Sequence, residues 1–268
     1  ASTPIVRLLD PTVSTLYLLC ALLMVALTVL STRRGAVTWN DAAFGALVAA
    51  FPNTGFMGVP LLVALLGAQA AGPAIVTILV DLVVTTSMCI ALSRLDGADT
   101  HGAGRAARNA LKGVAANPMP WAIVLGGISS ALGLEPIGPV KQTITLLADA
   151  ASPVALFTIG AVLARSQMLA KPNDEPMPLR DYLPVSLVKL VAHPLLVLAV
   201  GTIAIRIGVP LDRFALSVMV LVAALPSASN VSLLAERFGA DTGRIARIIL
   251  ITTAAAFLTF SAAVALVK

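Results

Sequence analysis

Four ionisable side chains lie where this chain can least accommodate them. Asp81, Asp149, Lys189 and His193 each interrupt a long aliphatic run. Charge inside such runs is costly and marks ion pathways, proton relays or ligand counter-ions. Asp81 and Asp149 each stand seven residues into their runs from the same side, about 10 Å deep at the rise of a helix. Carboxylates at one depth suit a coupling proton or Na⁺, although Asp149, four residues before Pro153, also reads as a local hydrogen bond at a proline kink. Lys189 enters from the opposite side. Either its stem snorkels to the interface, or its ammonium neutralises an anionic substrate. His193 directly precedes Pro194 and reads as a proton relay or as a packing residue.

Helix breakers make a second constellation. "FPNTGFMGVP", residues 51–60, places two prolines, two glycines, an asparagine and a threonine inside an apolar run. "LPSASNVSLLAERFGAD", residues 225–241, repeats the design, with 226 − 52 = 174 positions between Pro52 and Pro226. Proline removes a backbone donor and clashes with the preceding turn. Non-helical backbone at membrane depth is tolerated only where protein buries it or where it lines a wet cavity. Single proline kinks are common in membrane helices, but two matched in depth, polar content and position favour a binding site. Such breaks bring half-helix N-termini, with their partial positive charge, to one point near the midplane. Pro60 suits the first position of the half-helix it opens. An anion could be held there without a fixed cation.

The elements that must position these residues are membrane spans. Of the 268 residues, 12% are charged, about half the usual share for a soluble domain, and mean hydropathy is +0.96. The chain therefore reads as an all-α integral membrane protein whose partner is the lipid bilayer. Spans are expected at roughly 13–31, 42–66, 74–93, 113–134, 142–164, 182–205, 214–235 and 248–267. The broken spans are the second and the seventh, so they cross in opposite directions, as in an inverted-topology repeat. The two repeats would be 1–112 and 113–268. Arg33, Arg34, Arg94, Arg105, Arg108, Lys112, Arg165, Lys171, Arg180, Arg237, Arg244 and Arg247 fall on one side, against Arg7, Lys141, Arg206, Arg213 and Lys268 on the other. The richer side is expected in the cytoplasm, leaving both chain ends facing outward. Basic residues placed in loops this way signal topology and not nucleic acid. Cys20 and Cys89 both lie in apolar runs, which argues against a disulfide framework or a cysteine metal site. Gly239 suits a helix C-cap behind Glu236 and Arg237.

"FPNTGFMGVPL", "LPSASNVSLLAERFGAD" and the neighbouring "ADAASPVALFTIGAVLA" resemble the auxin efflux carrier family, which includes plant auxin exporters and bacterial permeases associated with malonate, malate and similar carboxylates. The resemblance covers essentially the whole chain. It implies a ten-helix fold of two inverted five-helix repeats with two crossing broken helices, similar to bile-acid sodium symporters, and a homodimer. Carried over by position, Asn53, Thr54, Gly58 and Pro60 match the first crossover, and Pro226, Ser227, Ser229 and Asn230 the second. The plant pattern more often shows Thr-Ala-Asn-Asn in the second break, a departure that points away from an aromatic substrate. "ASTPIVRLLD" resembles the junction after the family's second helix, so eight spans are expected of ten.

Three classes of function were weighed. Enzyme signatures are absent: no His-Glu-x-x-His, no Gly-x-Ser-x-Gly, and two histidines in all. No Walker A motif is present to couple ATP directly. A secondary transporter of small organic anions in the bacterial cytoplasmic membrane uses the paired breaks, with H⁺ or Na⁺ as coupling ion and no other cofactor. A non-transporting receptor for a small carboxylate is the alternative, and it has no need of them.

Overall fold

The computed structural model describes residues 10–33, 37–95, 136–168 and 178–267, with scattered positions between 121 and 134. The fourth expected span, 113–134, falls largely outside the described residues. Helix α1 (Pro11–Thr32) opens on Asp10, whose carboxylate accepts from the Thr12 amide at 2.8 Å, with Pro11 in the first turn. Both features suit a helix start. Helix α2 (Trp39–Ala50) is capped by Thr38 and buried at every position from Ala42 to Ala50. A helix apolar on all sides belongs in the middle of a bundle.

At Phe51 this helix stops. The residue before a proline is pushed out of the α region, and Phe51 is extended at φ −99°, ψ 101°. A π-helical turn, Thr54–Gly58, then leads into α3 (Val59–Leu66). Gly67, at φ 88°, turns the chain into a 3₁₀ turn, Ala68–Ala70, and α4 (Ala71–Leu79). A second π segment, Val80–Thr85, joins α4 to α5 (Thr86–Leu92). The third rod thus begins at Ala68, six residues before the expected edge. Helix α6 (Gly138–Met168) holds the expected span 142–164.

The second half of the chain runs through α7 (Leu183–Leu187), a third π segment (Val188–Ala192) and α8 (His193–Arg206). Helix α9 (Arg213–Ala224) stops before another proline: Leu225 is extended at φ −63°, ψ 155°. Helix α10 (Asn230–Phe238) ends on Gly239, left-handed at φ 70°, as expected for the C-cap. Helix α11 (Thr242–Val267) closes the described chain. Four rods, Pro11–Thr32, Ala68–Leu92, Leu183–Arg206 and Thr242–Val267, are long and apolar enough to cross a membrane. The described architecture is that of an all-helical membrane protein.

Two apolar cores stack along the rods. One gathers Met24, Phe44, Leu47, Leu82, Cys89, Val185, Val231, Ile245 and Ile248. The other gathers Tyr17, Leu62, Val80, Val197, Met219, Leu221, Leu225 and Phe260. Every rod passes from one core to the other, and the polar residues sit at the transitions. Asp81 separates Val80 from Leu82, Asn53 and Thr54 lie between Leu47 and Leu62, and Ser227 follows Leu225. The buried polar groups therefore form a layer between two dry cores.

Candidate functional site

The two breaks meet in that layer. Phe51 and Leu225 are both extended because each precedes a proline, and the peptides that follow pair as an isolated antiparallel bridge between Pro52 and Ser227. The Asn53 amide donates to the Pro226 carbonyl at 2.8 Å, and the Ala228 amide donates to the Phe51 carbonyl at 2.9 Å. Neither proline can donate, so the bridge uses the first amide after Pro52 and the second after Pro226. The Ser227 amide donates to Thr252 Oγ1 at 3.2 Å, and the Asn53 carbonyl accepts from Met57 and Gly58. The broken backbone is thereby satisfied at a depth where each orphaned group would cost several kcal/mol, ~2–7.

Side chains at the crossing remain less committed. Thr54 and Ser227 are fully buried, yet Thr54 Oγ1, Ser227 Oγ and Asn53 Oδ1 have no protein partner. Two hydroxyls and one amide oxygen offer both donors and acceptors to a small polar guest. Ser229 and Pro226 are buried beside them, and Asn230 is half-buried at the first position of α10. Gly58 serves close approach: a Cβ there would come within 2.4 Å of Leu225 Cδ1 and 3.2 Å of Thr54 Cγ2. Pro60 is different. It is exposed in the first turn of α3, where its missing N–H costs least, and the π-helical turn from Thr54 leads into it.

A second group of side chains lies in the same layer. Asp81, Lys189 and His193 are wholly buried, as is Tyr17. The Tyr17 hydroxyl donates to Asp81 Oδ2 at 2.9 Å, and Thr85 Oγ1 donates to Asp81 Oδ1 at 3.1 Å. Both carboxylate oxygens are thus acceptors. Lys189 Nζ lies 3.0 Å from His193 Nδ1 and donates to the Ala223 carbonyl at 3.0 Å. The other ring nitrogen of His193, Nε2, is buried with no protein partner. The Tyr17 and His193 rings stand 6.3 Å apart, tilted by 38°. Snorkelling is excluded for Lys189, because its exposure is 0%. Asp81 and Lys189 form no direct ion pair: their hydrogen bonds go to Tyr17 and Thr85, and to His193 and Ala223. Asp149 is elsewhere: it is exposed on α6, a helix whose every described side chain is exposed, and it joins none of these contacts.

Asp81 and Lys189 each sit in a π-helical segment, as does Thr54. Such segments are frequent at functional sites. No periodicity signalled them in the sequence. Tyr17 could have been found only by asking which tyrosine in an apolar run needs a partner for its hydroxyl.

Comparison with known proteins gives the chain a family. The chain matches a family described as "Membrane transport protein" over residues 10–107 and 103–264. It is 28% identical over 236 residues, 88% of the chain, to a "Putative malonate transporter" of Rhizobium meliloti. It is 30% identical over 208 residues, 76% of the chain, to "Uncharacterized transporter YfdV" of Escherichia coli. The chain spans 70% of the length of the former and 62% of the latter.

Proposed function

We infer that this chain, which belongs to the auxin efflux carrier family of membrane transport proteins, is a secondary active transporter carrying small organic anions such as malonate by alternating access. The observation that supports this reading is the bridge between the two breaks, with uncommitted Asn53, Thr54 and Ser227 side-chain atoms buried beside it. A compact carboxylate matches that inventory: hydroxyl donors for its oxygens, an amide oxygen for a protonated or hydroxylated substituent, and half-helix N-termini for its charge. Substrate contacts are assigned to Asn53, Thr54, Ser227, Ser229 and Asn230, with Gly58, Pro60 and Pro226 shaping the backbone. The name of the Rhizobium relative favours malonate within the class.

In this reading 1–112 and 113–268 are inverted repeats of a larger transporter, dimeric in the bacterial cytoplasmic membrane with both chain ends outward. Asp81, Lys189 and His193 take part in coupling to H⁺ or Na⁺. Asp149 is the weakest of the coupling candidates, being outside the buried cluster.

The test is counterflow in proteoliposomes with labelled malonate, malate, lactate and an aromatic acid. Accumulation of one small acid, lost in Asn53→Ala and Asn230→Ala without loss of fold, is expected. No accumulation across the panel by a folded protein that still binds malonate would replace the transporter reading with a receptor. Unchanged affinity in both variants would move the site away from the crossing.

A further inference from the structure

The break in the seventh span creates a debt in its own backbone. In an unbroken helix the Ser227 amide would donate to the Ala223 carbonyl, four residues back. Here Ser227 turns to Thr252 instead, and Lys189 Nζ takes its place on Ala223 at 3.0 Å. A cation at the C-terminal end of a helix is favoured twice, by the orphaned carbonyl and by the dipole. Lys189 is thus a charged side chain bonded to the end of α9 that leads into the crossing. Its ammonium is buried, and the route from it to Asp81 runs through His193, 3.0 Å from Nζ, and the Tyr17 ring, 6.3 Å from that of His193. Asp81 in turn is held by Tyr17 on α1 and by Thr85 on its own rod.

We propose that Tyr17, Asp81, His193 and Lys189 form one charge relay, in which Tyr17 positions Asp81 and Lys189 carries the charge state of Asp81 to the crossing through the Ala223 carbonyl. The proposal rests on the reading of the crossing as the transport site and says how that site is regulated. When a proton from the aqueous phase adds to an Asp81 oxygen, the compensating negative charge disappears. Lys189 is left as an uncompensated buried cation, a costly state. It then withdraws towards water, and its hold on Ala223 weakens. Ala223 is three residues from Pro226, whose carbonyl accepts from Asn53 across the bridge, so the pairing of the two breaks loosens. The other buried titratable groups on the rods that carry the relay are Cys20, about one turn from Tyr17, and Cys89, about two turns from Asp81. Neither thiol hydrogen-bonds to the carboxylate, which makes Asp81 the proton acceptor with a path to the bridge.

Hydrogen exchange read by mass spectrometry tests this on the purified full chain in lipid nanodiscs, with no substrate needed. Peptides covering Phe51–Thr54 and Leu225–Asn230 report the bridge amides of Asn53 and Ala228. After correction for intrinsic exchange, their protection is expected to fall in a single step as pH is lowered. Tyr17→Phe keeps the ring against His193 and removes only the hydroxyl. It should move the step to higher pH by about one unit, because the carboxylate loses a donor that favours its charged form. Asp81→Asn should abolish the step, and Lys189→Arg should retain it. A wild-type profile without a step, or a step that neither Tyr17→Phe nor Asp81→Asn alters, overturns the relay. Failure of every acid in counterflow would refute the substrate reading while leaving this result intact. A flat profile in a protein that transports would do the reverse.

Discussion

Two charged clusters hold this bundle, and they are built in opposite ways. In the layer at the crossing, Tyr17, Asp81, His193 and Lys189 bond mainly to one another's side chains. At the arginine-rich end, Arg244 is 7% exposed, and its guanidinium donates to the carbonyls of Asp181 at 2.7 Å and Asp41 at 3.1 Å. The Arg244 amide donates to Asp241 at 2.9 Å, and the Asp241 amide donates to Asp41 at 2.8 Å. Asn40 reaches the Phe238 carbonyl at 3.1 Å. Each of these bonds has a backbone group at one end, and backbone groups do not titrate. The clasp therefore keeps one shape across the physiological pH range, tying the starts of α2 and α11 to the end of α10. The buried cluster at the crossing joins titratable side chains, so in the proposed relay its bonds change with their protonation. Fixing geometry and switching it call for different partners.

The sharpest way to break the contrast is Lys189→Met. It leaves the buried Asp81 without a nearby cation and orphans the Ala223 carbonyl, and an unsatisfied buried group costs about 1–3 kcal/mol, more where it is charged. Uptake should vanish, and thermal unfolding in detergent should show the loss. Adding Asp81→Asn should return much of the stability but none of the transport, a sign that the two charges are coupled. Arg244→Ala comes next. Hydrogen bonds to a charged group contribute about 1.5–3 kcal/mol, and the stability lost should be equal across the physiological pH range. Arg244→Lys should not restore it, because a point charge cannot serve two carbonyls from a rigid fork. A pH-dependent loss in Arg244→Ala would erase the distinction between the clusters.

The same contrast sorts what the sequence could reveal. Pro52 and Pro226 were legible because proline acts on its own neighbours: it fixes the preceding residue as extended wherever it falls. The charges of Asp81 and Lys189 were legible because nothing else in their runs is ionised. Their relation was not, since it runs through Tyr17, and a tyrosine among leucines looks like core. Arg244 was counted as a loop charge setting topology, and only its tertiary neighbours make it a clasp. The snorkelling alternative for Lys189 failed for a related reason: the seventh-span break supplies a carbonyl that only a tertiary structure can bring within reach. Asp149 matched Asp81 in depth along the membrane normal, but depth carries no information about which way a helix faces.

Gly58→Ala tests whether the crossing, unlike the clasp, depends on close backbone approach. The added methyl would meet Leu225 at 2.4 Å inside a packed core, and overpacking of this kind costs about 1–3 kcal/mol. Transport should fall more than stability, because the methyl pushes the two breaks apart where they exchange hydrogen bonds. Leu225→Ala in the same chain should relieve the overlap and recover activity in part. Recovery of stability without activity would place Leu225 in the transport step as well as in the core.

The smallest effect belongs to Asn40→Ala. Its side-chain amide satisfies the Phe238 carbonyl, one of the last of α10 and without an intrahelical partner. A single neutral hydrogen bond contributes about 1 kcal/mol, and Asn40 Oδ1 has no protein partner to lose. Exchange of amides in the last turn of α10, Ala235–Ala240, should quicken by about fivefold, the equivalent of that energy. The bridge amides of Asn53 and Ala228 should keep their protection and its pH step. If they loosened too, the clasp and the crossing would be one cooperative unit, and the fixed end of the bundle would share in the switch at its middle.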